Sequence, residues 1–419
     1  MRSRWSVIML LAVLAVAALP AWADHATGKA DLSRLVVVGD SLSAGFQNGS
    51  LHEALQPNGY ASLVAARAGV ALPLPLIAAP GIPNVLTLVD PGPPLVLGEA
   101  PGASFGRVDL MVQPMNLAVP GANVQDALTA LPDLAFDDLT DLVLGLPGLL
   151  VGISRSQVEW AEALAPTTIL LWLGSNDILD PALNDATDTG ITPVDDFKSA
   201  YTEVMDRLAA TGATLVVANI PDVTAVPFLT SAEDVAAILG LPLAVLGPIL
   251  GIGPGDLVTP DAFDLIEQIL LGSAIGPLPG SVVLDAGEVA SIRSTTETFN
   301  AFIAAHAAAK GAAFVDIHGL LNEVQASGRV VGGQRLTTKF LGGLFSLDGV
   351  HPTNTGAALI ANAFIRALNT HFAAGIPPVA VQQVAVEDPL VLAGVGHPPS
   401  APSHPSPEAA TAVRAGLRR

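Results

Sequence analysis

Ser41 stands after a glycine and an aspartate, directly behind four apolar residues, in LVVVGDSLSAGF (residues 35–46). A serine hydroxyl becomes a nucleophile when a base takes its proton and an acid partner orients that base and stabilises it when charged. SLDGVHPTNTG (346–356) offers such a pair: Asp348 and His351 lie three positions apart in a turn before an apolar helical pattern. That spacing can bring the carboxylate to one ring nitrogen while the other faces the serine. None of the other seven histidines has such a partner in a comparable turn. His25, His397 and His404 fall in ends expected to be mobile, His306 and His371 follow helical patterns, and His52 and His318 read as structural.

Attack on a carbonyl creates an oxyanion, which needs hydrogen-bond donors aimed at it. Asn176, in LWLGSNDIL (171–179), carries a side-chain amide at the end of an apolar run. Gly121, in NLAVPGANV (116–124), can expose its N–H without side-chain obstruction. The N–H of Ser41 would add a third donor at the start of a helix, along the helix dipole. Plainer readings stand beside these. Asp40 or Ser41 could simply cap a helix, and Asn176 could simply form a turn.

Such residues need a frame that brings them to one edge. Short apolar runs at Leu35–Val38, Thr168–Leu173, Thr214–Ile220 and Ala312–Ile317 alternate with helical patterns, and Asn116–Val119 is expected to supply a further strand. Alternation of this kind indicates a parallel sheet covered on both faces, an α/β protein. The clearest helical stretch, TETFNAFIAAHAAAKG (296–311), puts Phe299, Phe302, Ile303 and His306 on one face, and Gly311 ends it. Ser41, Gly121 and Asn176 all follow strands, at the carboxyl edge where open parallel sheets bind ligands.

These motifs, taken together and in this order, resemble those of the GDSL-type, or SGNH, hydrolase family. Gly39, Asp40, Ser41, Leu42 and Gly45 match its first motif, Gly121 its second, Gly174, Asn176 and Asp177 its third, and Asp348, His351 and Pro352 its last. Each is weakly specific alone and the set is highly specific. The resemblance runs from residue 34 to about 370 and implies a flavodoxin-like, three-layer α/β/α fold with a five-stranded parallel sheet. It implies esterase or lipase activity without a cofactor, with Ser41 as nucleophile and oxyanion donor, Gly121 and Asn176 as further donors, His351 as base and Asp348 as its partner. No metal is expected, because the acidic residues show no dense ligand spacing.

Composition narrows the partners. Acidic residues outnumber basic ones 38 to 18, and a formal charge of −20 repels phosphate backbones, so nucleic acid is not an expected partner. There is no cysteine, which excludes disulfides and thiol chemistry. Arg2 and Arg4, the apolar stretch Trp5–Leu19 and the A-x-A site at Ala21–Ala23 read as a signal peptide (residues 1–23) rather than a membrane anchor, so the protein is expected to be exported, to a periplasm or out of the cell.

The hydrolase domain is expected over residues 24–386, with apolar insertions near 68–112 and 223–284 and a disordered Pro-rich tail over 387–419. Within the insertions, 68–89 and 235–255 hold no charge but several prolines, which argues against spanning helices. They are either extra core or the wall of a site for apolar substrates, with lipid-interface contact and no stable protein partner implied. The expected substrate is therefore a small-molecule or lipid ester. A polysaccharide O-acetyl esterase is the rival enzyme, made less attractive by an aromatic content of only 5%, and a non-catalytic lipid-binding protein is the rival of another class.

Overall fold

Four of the apolar runs form parallel strands, Leu35–Gly39, Thr168–Trp172, Thr214–Ala218 and Ala313–Val315, hydrogen-bonded side by side in that order. The computed structural model from which this is read describes residues 30–90, 96–394 and 403–417; the expected signal peptide, 1–23, lies outside the described residues. The first two strands are buried along their whole length, which is why they read as continuous apolar runs rather than alternating ones.

Successive strand side chains point to opposite faces and build two separate cores. Val36, Val38, Ile169, Leu171, Leu215 and Val217 pack with helices Gln157–Ala163, Val194–Ala210 and Ala286–Ala309. Leu35, Val37, Leu170, Trp172, Val216 and Ala218 pack with Tyr60–Ala68 and Asn354–Phe372. The result is three layers, helices over both faces of the sheet, in which each fully buried Val, Leu or Ile is worth ~1.5–3 kcal/mol over its exposed state. The helix anticipated around Phe299 begins earlier, at Ala286, where Asp285 and Glu288 form a capping box.

The fifth position of the sheet is filled by residues 115–119. Val37 N–H donates to Met115 O, Leu117 N–H to Val37 O and Val119 N–H to Gly39 O, yet regular pairing is limited to a single parallel bridge, Val37 with Asn116. The cause is local. The Asn116 amide donates to Ser43 O and its carbonyl accepts from Ala118 N–H, so its side chain competes with the ladder. Pro120 then ends the segment. The first strand therefore lies between 115–119 and Thr168–Trp172, the point where strand order reverses and where ligands sit in such sheets.

The insertions carry structure of their own. Leu86–Asp90 and Val96–Glu99 pair as an antiparallel hairpin. Between residues 230 and 284, three two-residue strands and helices Ala232–Leu239, Leu243–Leu250 and Ala262–Leu270 enclose a separate apolar cluster that includes Val235, Leu246, Leu250 and Ile266. Among the described residues no single helix is long and apolar enough to cross a membrane; Ala232–Leu239 and Leu243–Leu250 are so only as a pair, bent by 109°.

The expected disordered tail, 387–419, needs correction over 387–394 and 403–417; its remaining residues lie outside those described. Helices Val381–Glu387 and Pro389–Gly394 continue past residue 386, and buried Asp388 between them accepts from the N–H and hydroxyl of Thr355. Pro407–Leu417 is a further helix whose Ala409, Ala410, Ala412 and Val413 are buried. Proline suits a first helical position and alanine is the best helix former, so PEAATAVRAGL is helix-competent despite the Pro- and Ser-rich stretch before it. His404, expected in a mobile end, stacks on Phe263.

Candidate active site

The chain leaves the first strand at Gly39 and forms a single helical turn, Ser41–Ala44. Asp40 is the cap: its Oδ1 accepts from Leu42 N–H at 3.0 Å. The capping reading thus holds for Asp40, and Ser41 is left with neither its N–H nor its Oγ engaged by any described residue. Asp40 itself is wholly buried, with Oδ2 lacking a hydrogen-bond partner. Burial, and to a lesser degree the neighbouring charge of Asp177, pushes its carboxyl up to about 7, against the opposing pull of Leu42 N–H and His351.

Asp348 and His351 meet as the sequence anticipates. His351 Nδ1 lies 3.1 Å from Asp348 Oδ2, both side chains are fully buried, and the other carboxylate oxygen accepts from Val350 N–H and His351 N–H, each at 2.8 Å. Burial acts to raise the Asp348 pKa, but the adjoining His351 ring and these N–H donors outweigh it and hold the group below the ordinary carboxylate value. A carboxylate at Nδ1 favours the tautomer with its proton there, which leaves Nε2 as an acceptor. Nε2 is buried and has no partner.

Asn176 opens the helix that follows the second strand, and its amide donates to Ala122 O at 2.9 Å, which holds it beside the turn containing Gly121. One N–H of that amide remains for another acceptor. Asp177 Oδ2 accepts from Val124 N–H, a second tie between these two motifs. Gly121 has a φ of 79°. Ser41 and Asn176 line one pocket together with Val350 and Pro352, the two residues flanking His351. The pocket is open to solvent at its mouth, and Leu42, Leu179, Val223, Val226, Leu320 and Leu344 make much of its wall.

Sequence reasoning missed the support behind Asp348. Gly49 N–H donates to Asp348 Oδ2 at 2.7 Å, and the neighbouring Asn48 accepts from Leu347 N–H. Both residues have positive φ, 52° and 71°, in a turn closed by Gln47 and Ser50. The Asn-Gly dipeptide was the available signal, because it marks such turns. Phe46 was also missed; its ring lies against that of His351, with centroids 4.6 Å apart.

Among the described residues, the group spaced to hold a metal is Asp137, Asp138 and Asp141, and it lies outside this pocket. Both oxygens of Asp141 already accept from backbone N–H groups, of Asp133 and Asp137.

A three-layer α/β/α sandwich with a serine at the carboxyl end of its first strand and an Asp–His pair on a later loop has the layout of a serine hydrolase. The profile of the GDSL-like Lipase/Acylhydrolase family matches residues 35–364. The chain belongs to that family, and so to the esterases and lipases that hydrolyse carboxylic esters. A search of curated proteins finds no significant match.

Several solved structures are similar at low identity. An alpha/beta hydrolase enzyme from the metagenome of Lake Arreo, Spain, is 14% identical, with 80% of this chain and 94% of that one covered and a TM-score of 0.36. A psychrotrophic esterase from Pseudoalteromonas sp. is 13% identical, with coverages of 80% and 97% and a TM-score of 0.33. Phospholipase A1 from Streptomyces albidoflavus NA297 is 14% identical, with coverages of 80% and 98% and a TM-score of 0.31.

Proposed function

We propose that this GDSL-family enzyme hydrolyses carboxyl esters bearing an acyl chain, lipid esters among them, after export through its N-terminal signal peptide. His351 Nε2 takes the Ser41 proton as Oγ attacks the ester carbonyl. The tetrahedral oxyanion is held by the N–H groups of Ser41 and Gly121 and the Asn176 amide. Collapse breaks the bond to the alcohol oxygen, which leaves with the proton from His351. Water, deprotonated by His351, then attacks the acyl-enzyme, and the second collapse returns the proton to Ser41 Oγ and frees the carboxylic acid. Asp348 holds the ring in the tautomer this requires and stabilises the imidazolium.

The observation that carries the acyl-chain reading is the largely apolar pocket on which Ser41 opens. Ligand sites are lined mostly by apolar side chains with a few placed polar groups, as this one is by Leu, Val and Ile around Ser41 and Asn176. Its Leu and Val wall would gain ~0.8 kcal/mol for each methylene it buries, a gain that an acetyl group forgoes. Hydrolysis of p-nitrophenyl esters from acetate to palmitate, with acetylated xylan in parallel, tests the reading. Rates rising to a maximum at medium or long chains are expected; activity confined to acetate and the glycan would replace it with deacetylation.

A further inference from the structure

The C-terminal helix Pro407–Leu417 and the residues just before it reach the candidate site at three points. Gly416 lies against the Phe46 ring so closely that a Cβ there would overlap Cζ and come within 2.8 Å of Cε2. Phe46 cannot simply swing away: it is 2% exposed and its ring is packed on His351. At the second point, the Cβ of Ala412 would stand 2.7 Å from a Cβ placed on Gly49, whose N–H holds Asp348 Oδ2. At the third, Pro405 closes on Gly349, inside the turn between Asp348 and His351. Leu347, Ala409 and Ala412 share one apolar cluster, so the same helix also packs on the residue preceding Asp348.

The helix has its own anchor away from these contacts. Arg414 donates through Nε and Nη2 to Leu183 O, near the end of the helix that Asn176 opens, and pairs through Nη1 with Asp261 at 2.5 Å. A half-buried arginine fixed at both ends sets the helix position, and small residues at 409, 412 and 416 let it approach. A larger residue at 416 would press Phe46 toward the imidazole.

We propose that the buried face of segment 403–417 is a positioning element of the active site: Gly416 seats Phe46 on the His351 ring, and Ala412 seats the Gly49 turn that holds Asp348. The inference rests on reading His351 as the base. No residue of segment 403–417 lines the pocket on which Ser41 opens, and none hydrogen-bonds His351 Nε2, so its action is on geometry, where a displacement of about 1 Å can cost on the order of a hundredfold in rate.

The test compares Gly416→Leu with Ala415→Leu in the full-length enzyme, the second adding the same bulk on the exposed side of the helix. Steady-state hydrolysis of p-nitrophenyl butyrate is measured with the melting temperature and the downfield proton NMR signal of the His351–Asp348 hydrogen bond. Gly416→Leu is expected to lower kcat about ten- to a hundredfold with KM within twofold and to shift or broaden that signal, while Ala415→Leu matches the parent. If Gly416→Leu is not recovered folded, Arg414→Ala, which loosens the anchor without adding bulk, should lower kcat in the same sense. A folded variant with parental kcat and signal, or a kcat loss equal to its unfolded fraction, overturns the proposal. His351→Ala is run beside them: full activity there would sink the assignment of the base itself, a failure distinguishable from that of the helix.

Discussion

Replacing Asp40 with asparagine should stabilise the protein by an amount that grows as pH rises from about 4 to 8. The buried Asp40 carboxyl is pushed up to about 7 from an ordinary value of 3.8, with Oδ2 unpartnered and Asp177 as a like charge nearby. Below the unfolded value the group is protonated in both states and contributes no pH dependence. As pH rises from there, the unfolded chain releases the proton while the folded chain keeps it, so stability falls until the folded group also ionises near 7. At roughly 1.4 kcal/mol per unit, a rise of about three units is worth up to ~4 kcal/mol at pH 8. Asparagine keeps the cap on Leu42 N–H and carries no charge at any pH. Urea unfolding of parent and Asp40→Asn at pH 4.5, 6 and 8, followed by tryptophan fluorescence, reads the difference directly; contributions from groups that do not interact with Asp40 cancel in it. A gap independent of pH, or a variant less stable than the parent at pH 8, would mean that the folded protein does not hold Asp40 neutral.

Three substitutions probe the chemistry and the pocket. Asn176→Ala should lower kcat by about a hundred- to a thousandfold, or ~2.7–4 kcal/mol of barrier, with little change in KM on a soluble p-nitrophenyl ester. Asp348→Asn, which favours the wrong His351 tautomer, should cost about 10⁴ in kcat while circular dichroism shows the fold retained. Val223→Phe, in the pocket wall, should move the chain-length optimum toward shorter esters and leave acetate turnover within about twofold; an unchanged profile would exclude the pocket as the acyl site.

Much of the fold and of the candidate site was legible because it rests on local signals. Val36, Ile169 and Leu215 lie in short apolar runs that can only be buried strands in this alternation, and Ser41, Asn176, Asp348 and His351 sit where turns must follow them. What could not be read depends on contacts distant in sequence. The Gly49 N–H reaches Asp348 across 299 positions, and the helix at 407–417 gains its place from Leu183, Phe46 and Leu347 rather than from any strong pattern of its own. The segment 116–119 misled in a small way for the opposite reason: the polar side chain of Asn116 takes backbone partners that a regular strand would have used. The apolar insertion at 230–284 was visible as composition, but its separate core could not be inferred from uncharged residues alone.

The proposed mechanism stands on Ser41 as the nucleophile. Incubating the parent enzyme and Ser41→Ala with a serine-directed phosphonate, followed by peptide mass spectrometry and residual esterase assay, tests it most directly. One phosphonate adduct on Ser41, loss of activity in step with labelling, and neither label nor turnover in the variant are expected. An adduct on a different residue, or hydrolysis by Ser41→Ala at the parental rate, would contradict it.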